Sequence, residues 1–350
     1  MPAIDKYISE MLDAGGSILH IGAGRRPMYR LNDRLTEFGS GELDAAKVES
    51  MLREICPKER WSVFTSTHDI DFTYTMDSNT RFRCNFLMDR YGIAAVLESI
   101  PAVVPSLDDL EAPQVFKDIC HLPGGLVLIC GPAGAGTGTT QAAMLEYINE
   151  HTARYIITIG SLVEYTHKAI RSVVEQCEVT DETFAVTLEA ALNSHPNVIV
   201  LDALPDAASI RLALRASMMG ILVIAATPAA NYYKTIDYII DAFPAKEQSE
   251  ARALLAESLQ AILTQMHCHG SKGGRVVCRE VLLRAEGVPT AVRENNMMML
   301  RNVMDQYRQQ GMRTLDFSLR ELLATGKITA EEAYARAVDK RQFQNFLSSV

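Results

Sequence analysis

The sequence predicts an α/β protein of two domains, and three observations carry that expectation. From "GLVLIC" onward, short uninterrupted apolar runs are separated by helix-length segments: "YIITIG" (155–160), "NVIVLDAL" (197–204) and "GILVIAATP" (220–228). Such runs mark parallel strands buried on both faces. Residues 1–98 instead mix one-sided helical periodicity with alternating strands, which predicts a small α+β domain. Between the two lies "SIPAVVPSLDDLEAP" (99–113), with three prolines and no sustained period, which reads as a linker. The second domain then covers 114–350, and 350 residues suit two cores better than one.

Taken in order, Ile4, Tyr7, Ile8, Met11 and Leu12 recur at helical spacing with acids between them, so the chain opens on an amphipathic helix and not on a secretory leader. "SILHIGA", "FTYTM" and "RFRCNFLM" alternate as strands do, and "DAAKVESMLREIC" has the helical period. In the second domain "RVVCREVLL" is expected as an antiparallel edge strand. Helices follow through "MMMLRNVMDQYRQQG" and "SLRELLATGKITAEEAYARAV". The run "NMMML" covers every side of a helical turn and predicts a buried or partner-facing segment.

Composition excludes several classes. A formal net charge of -9 argues against nonspecific nucleic-acid binding, which needs a basic excess to release counterions. The seven cysteines are scattered, odd in number and without CxxC spacing, so neither a zinc ribbon nor a disulfide framework is expected. No apolar stretch approaches the roughly 18 residues of a membrane-spanning helix, so membrane association is expected only through partners.

Chemistry points first to "GPAGAGTGTT" (131–140), which lies between a strand and a helix as a phosphate-binding loop does. Gly131 and Gly136 have the spacing of GxxxxGK[ST], but Thr137 stands at the lysine and Gly138 at the magnesium-binding hydroxyl. Thr139, one residue on, is the nearest substitute hydroxyl. Residues able to line a weak nucleotide or anion site are Gly131, Pro132, Gly134, Ala135, Gly136, Thr137, Gly138, Thr139 and Thr140. The glycines keep the backbone free to curl, and the helix N-terminus offers N–H groups.

With that loop in view, eight segments in one order resemble the twitching-motility retraction ATPases of type IV pili, the PilT-like family, within the wider type II secretion ATPases. They are "GSILHIGAGRRPMYRLND", "RFRCNF", "GLVLICGPAGAG", "IRLALRASMMGILV", "KTIDYIIDAFP", "ESLQAILTQ", "GVPTAVRENN" and "GMRTLDFSLRELLATGKITAEEA". The resemblance implies a PAS-like N-terminal domain, a RecA-like P-loop motor domain and a hexameric ring, homomeric or mixed with a PilT-like paralogue. It also implies ATP with Mg2+ between subunits, an inner-membrane platform protein as partner, and a cytoplasmic position peripheral to that membrane.

The same resemblance exposes losses. Phosphoryl transfer requires a lysine on the phosphates, a metal-binding hydroxyl, acids for metal and water, and arginines for the transferred charge. The family's acidic pair after "YIITIG" falls on Gly160 and Ser161, with Glu164 surviving at the last acidic position of that motif. Its Walker B glutamate falls on Ala203, with Asp202 the only neighbouring acid, expected to point away because adjacent strand residues face opposite sides. Two histidine positions hold Ile221 and Pro228. The arginine that reaches a neighbour's nucleotide becomes Glu98, and Cys177, Glu189 and Asn193 replace three more. Arg81 and Arg83 match family arginines near the adjoining nucleotide, or serve ion pairs. Arg211 and Arg293 lie in family interface motifs, and Asp206 is expected to cap a helix.

No catalytic set is intact. The implied cofactor, ATP with Mg2+, is therefore held weakly or not at all. The chain reads as a catalytically impaired structural or regulatory ring subunit, with an unorthodox retraction ATPase and a non-hydrolysing ATP sensor as rivals. Two further features stand apart. Tyr232 and Tyr233, where the family has small residues, are expected to fill the emptied site. "HCHG" (267–270) is read as an exposed polar turn in a helix-to-strand loop and not as a metal site.

Overall fold

Ile4, Ile8 and Met11 share one face of helix α1 (Asp5–Asp13), and all three are fully buried. The structure, a computed structural model, describes residues 2–31, 34–77, 80–101 and 103–347. It divides into two units: the chain through Val103 together with Leu162–Thr166, and Val104–Ser161 together with His167 onward.

In the first unit, β1 (Ile18–Gly22), β2 (Met28–Leu31) and β3 (Arg34–Glu37) precede α2 (Ala45–Ile55) and α3 (Lys58–Thr67). After them come β4 (Asp69–Asp77), β5 (Thr80–Asp89) and β6 (Gly92–Ile100). The six strands form one antiparallel sheet in the order β3-β2-β1-β6-β5-β4. Alternation decides its two faces: Phe82, Cys84 and Phe86 enter the core with Phe64 and Leu52, whereas Arg81, Arg83 and Asn85 lie on the other side. Asp44 starts α2 by accepting the Lys47 N–H at 2.8 Å.

The second unit begins with α4 (Gln114–Cys120), β7 (Gly125–Cys130), α5 (Thr137–His151), β8 (Tyr155–Gly160), β9 (Val173–Glu178), α6 (Asp181–Leu192), β10 (Val198–Leu201) and α7 (Ala207–Met218). It continues with β11 (Leu222–Thr227), α8 (Tyr232–Asp241), α9 (Gln248–Ser258), β12 (Leu259–His269) and β13 (Arg275–Leu283). The helices α10 (Val288–Arg293), α11 (Met297–Gln306), α12 (Leu315–Ala324), α13 (Ala330–Arg336) and α14 (Gln344–Leu347) close it. Seven strands are ordered β13-β12-β7-β11-β10-β8-β9 and are parallel except for the β12–β13 pair. On β7, Leu126, Leu128 and Cys130 face a core with Ile210 and Ile236, while Val127 and Ile129 face Met144 and Ile148 of α5. Both faces are covered, which is why the strands read as continuous apolar runs.

Three expectations need correction. Residues 99–113 are not a free linker: Ser99 and Ile100 finish β6, and Leu107 is 2% exposed in the core of the second unit. The strand in "NVIVLDAL" stops at Leu201, because the chain turns there to start α7 under the Asp206 cap, which accepts Ser209 N–H at 2.7 Å. His267–His269 end β12 and do not form a loop. Cys268 is buried, and no metal-holding group of His, Cys, Asp or Glu exists among the described residues. In "NMMML", Met297 and Met299 pack partly on the core while Met298 is 68% exposed. No helix among the described residues is long and apolar enough to cross a membrane.

Candidate functional site

The loop between β7 and α5 is shaped by two glycines with left-handed backbone, Gly134 at φ 77° and Gly136 at φ 79°. A Cβ on Gly134 would meet nothing within 4 Å, so the loop crown is open. Gly131 is the opposite case. A Cβ there would lie 2.5 Å from the Gln265 carbonyl oxygen and 2.6 Å from the Ala135 methyl. Ala135 N–H closes the turn onto Pro132 O at 3.0 Å, and the first helical bond runs from Thr140 N–H to Gly136 O at 3.0 Å. The amides of Thr137 and Gly138 therefore precede the helical ladder at the positive end of a 15-residue helix. Pro132 and Gly138 are exposed, Thr137 and Thr139 half-buried, and Thr140 buried.

Sequence reading missed what holds this loop. Gln265 of β12 donates to Ala135 O at 2.8 Å and accepts the Thr140 hydroxyl at 2.9 Å, both buried. Gln141 donates to Leu201 O at 2.8 Å, which seats the head of α5 over the end of β10. Neither glutamine belongs to a motif that spacing alone reveals. Deeper still, Glu280 of β13 is wholly buried and accepts from Tyr232 N–H at 2.8 Å, Thr264 hydroxyl at 3.2 Å and Leu315 N–H at 3.1 Å. Burial raises its carboxyl to about 7 despite those three donors. Thr264 lies beside Cys130, the last residue of β7.

The turn after β8 is built otherwise. Asp202 reaches across from the end of β10, and its Oδ2 accepts the Ser161 N–H at 2.6 Å and the Ser161 hydroxyl at 3.1 Å. A Cβ on Gly160 would fall 2.6 Å from that oxygen and 3.0 Å from the Asp202 Cβ. Gly160 and Asp202 thus exclude one another's side chains. Ala203, next along, is half-buried and apolar, Ile221 is 7% exposed, and Pro228 is exposed just past β11.

Glu164 and the two arginines come together in the first unit. Arg81 donates to Glu164 O at 2.7 Å and Val163 O at 3.0 Å, and Arg83 pairs with the Glu164 carboxylate at 3.2 Å. Glu98 sits opposite Arg83 in the β5–β6 register and is exposed. In the second unit Arg211 pairs with Glu247 and Arg293 with Glu257, each at 2.6 Å. Cys177 is half-buried on β9, while Glu189 and Asn193 are exposed on and after α6. Tyr232 does not behave as a site filler. It is 7% exposed within the core that includes Cys130 and Met304, with Tyr233 edge-on at 5.6 Å. A cleft of about 410 Å³ lies at the other ends of the strands, between Pro123, Gly125, Gly220 and Gln260. Its one ionisable lining residue, Glu257, is the partner of Arg293, so the phosphate-loop edge remains the candidate site.

The donor set at that edge is main-chain N–H groups, the hydroxyls of Thr137 and Thr139 and one carboxylate, Asp202. It fits an anion and offers a metal one acid, but it supplies no lysine.

Comparison with known proteins bears on the same loop. The family model described as Type II/IV secretion system protein matches residues 3–266. The type IV pilus retraction ATPase PilT of Pseudomonas aeruginosa is 33% identical over 325 residues, covering 92% of this chain and 94% of that one. A twitching motility protein of Neisseria gonorrhoeae is 35% identical over 314 residues, covering 89% and 84%. A crystal structure of the pilus retraction motor PilT with bound ADP matches with a TM-score of 0.86 at 30% identity, across 96% of this chain and 97% of that one. The chain therefore belongs to the type II/IV secretion system protein family, among its PilT-like retraction ATPases, with an N-terminal α+β domain before a RecA-like P-loop domain.

Proposed function

We propose that this chain is a non-hydrolysing member of the family, a structural or regulatory subunit of a pilus or secretion ring. The observation that carries the reading is the turn after β8. Where the family likeness puts an acidic pair, Gly160 has its side-chain space filled by Asp202, and Ser161 gives both its donors to that same carboxylate. Thr137 adds a neutral donor where a cation is needed, and a charge-assisted bond is worth about 1.5 to 3 kcal/mol more than none. Losing the transition-state arginines costs on the order of 10³ to 10⁵ in rate, which binding energy elsewhere does not replace.

The ring is hexameric in this reading, homomeric or shared with an active PilT-like paralogue, and it works in the cytoplasm against an inner-membrane platform protein. The cofactor is ATP with Mg2+, held weakly. Binding without hydrolysis is the favoured variant, because the open crown at Gly134 and the amides of Thr137 and Gly138 ask nothing of the missing side chains. The test is phosphate release from Mg2+–ATP by the purified protein, against a heat-killed control. No release above the control is expected. Turnover on the order of 0.1 per second, still below the ordinary enzyme range, would restore the retraction ATPase.

A further inference from the structure

We propose that the first unit carries a phosphate-type oxyanion site of its own, formed by His20, Arg25 and Arg30 on the sheet face turned away from its core. Strand alternation brings the three together. On β1, Leu19 and Ile21 enter the core, so Ile18, His20 and Gly22 share the opposite face. On β2, Tyr29 packs on the core and Arg30 is the register partner of Ile18, which puts Arg30 on that same face, diagonal to His20. Arg25 returns over the other end of the row. A Cβ on Gly22 would lie 2.3 Å from its Nε and 2.3 Å from a terminal nitrogen, so the glycine makes room for the guanidinium. His20 is thereby flanked by two cations.

What these groups lack marks the place as a site. His20 Nε2 and Arg30 Nε are both shielded from solvent and have no hydrogen-bond partner, an arrangement that costs stability until something completes it. Neither the Arg25 nor the Arg30 guanidinium pairs with an acid among the described residues, and Glu98, opposite Ile18 on β6, is exposed and pairs with neither. Burial, and after it the charges of Arg30 and Arg25, hold His20 below the usual histidine range. An oxyanion answers each want at once. It neutralises both guanidiniums, takes their forked N–H groups and accepts from a protonated Nε2. A carboxylate offers one charge and two oxygens, whereas a phosphate monoester offers nearly two charges and three oxygens, so phosphate is the better match. Arg25 is exposed and without a partner, so it can lift to admit the ion and close over it.

The experiment soaks crystals of the full chain in tungstate, a heavy analogue of phosphate, and follows inorganic phosphate by calorimetry at low ionic strength. Tungstate should lie beside His20 and Arg30. Arg30→Gln and Arg25→Gln should each weaken phosphate about tenfold, the scale of one charge-assisted contact. Arg26→Gln makes the same charge change on the adjacent exposed residue and should cost less than about twofold. Arg25→Gln carries the test should Arg30→Gln fail to fold. Sedimentation with phosphatidylcholine vesicles, with and without phosphatidic acid, tells the source of the phosphate. Capture that Arg25→Gln abolishes assigns the site to a lipid headgroup, and no capture assigns it to a soluble phosphate ester; both keep the site. Tungstate absent from His20, even where it occupies the β7–α5 loop, overturns the inference. So does a loss in Arg26→Gln equal to that in the other two variants, which would reduce the cluster to a diffuse basic field.

Discussion

The turns after β7 and β8 leave the same edge of one sheet, yet one is held by main chain and the other by a side chain. At the first, two glycines with positive φ and a glutamine beneath fix the path, and the groups aimed at a ligand are amides. That path asks nothing of the Thr137 side chain. At the second, Gly160 and Ser161 are arranged around a carboxylate lent by β10. A turn held by main chain keeps its shape whatever side chains it carries, whereas a turn held by one carboxylate depends on that residue.

The comparison is most open to attack beneath the first turn, at Glu280. Its carboxyl is raised from 4.5 to about 7, chiefly by burial. A raised pKa gives stability that is fully present below 4.5 and lost as pH rises through 7. The shift corresponds to about 3 kcal/mol at most. Glu280→Gln should flatten the fall in unfolding free energy between pH 5 and 8, even though its amide leaves Leu315 N–H poorly served. An unchanged slope in denaturant titrations would remove the buried Glu280 carboxyl as a source of pH-dependent stability.

A smaller effect separates the two turns directly. Gly131→Ala and Gly160→Ala should each cost about 2 kcal/mol by overpacking. Only the second should be relieved by Asp202→Gly, because the first presses on the Gln265 carbonyl oxygen and the second on a removable side chain. A double-mutant cycle at both positions reads the difference. Equal relief, or none, would erase the distinction between a main-chain turn and a side-chain turn.

The least effect is expected at Arg83→Ala. Its pair with Glu164 at 3.2 Å is substantially exposed, so less than about 1 kcal/mol should be lost, and that loss should shrink in high salt. A larger, salt-resistant loss would mean that the Glu164 segment is a structural clamp.

Much of this was legible in the sequence for physical reasons. Buried parallel strands cannot hide their apolar runs, so "GLVLIC" and "YIITIG" gave β7 and β8 with their ends in place. The glycine spacing of the loop was equally visible. Asp202 was not: strand alternation gives the face from which a side chain leaves, but not the emptiness at Gly160 into which it bends. Gln265 and Glu280 escaped notice because a buried polar residue announces itself only through partners far along the chain, such as Thr140 and Leu315. The stretch 99–113 misled because its prolines shape a strand end and a helix start instead of a spacer.

Leu162–Thr166 leaves the second unit after β8 and groups with the first, where Arg81 takes two of its carbonyls. Neither unit is therefore a continuous piece of the gene. A fragment beginning at Val104 would carry five residues deprived of their anchors, and one ending at Val103 would leave Arg81 with two hydrogen bonds unmade. Expression of the fragment from Val104 onward should yield protein readily nicked by protease near Ser161 and His167.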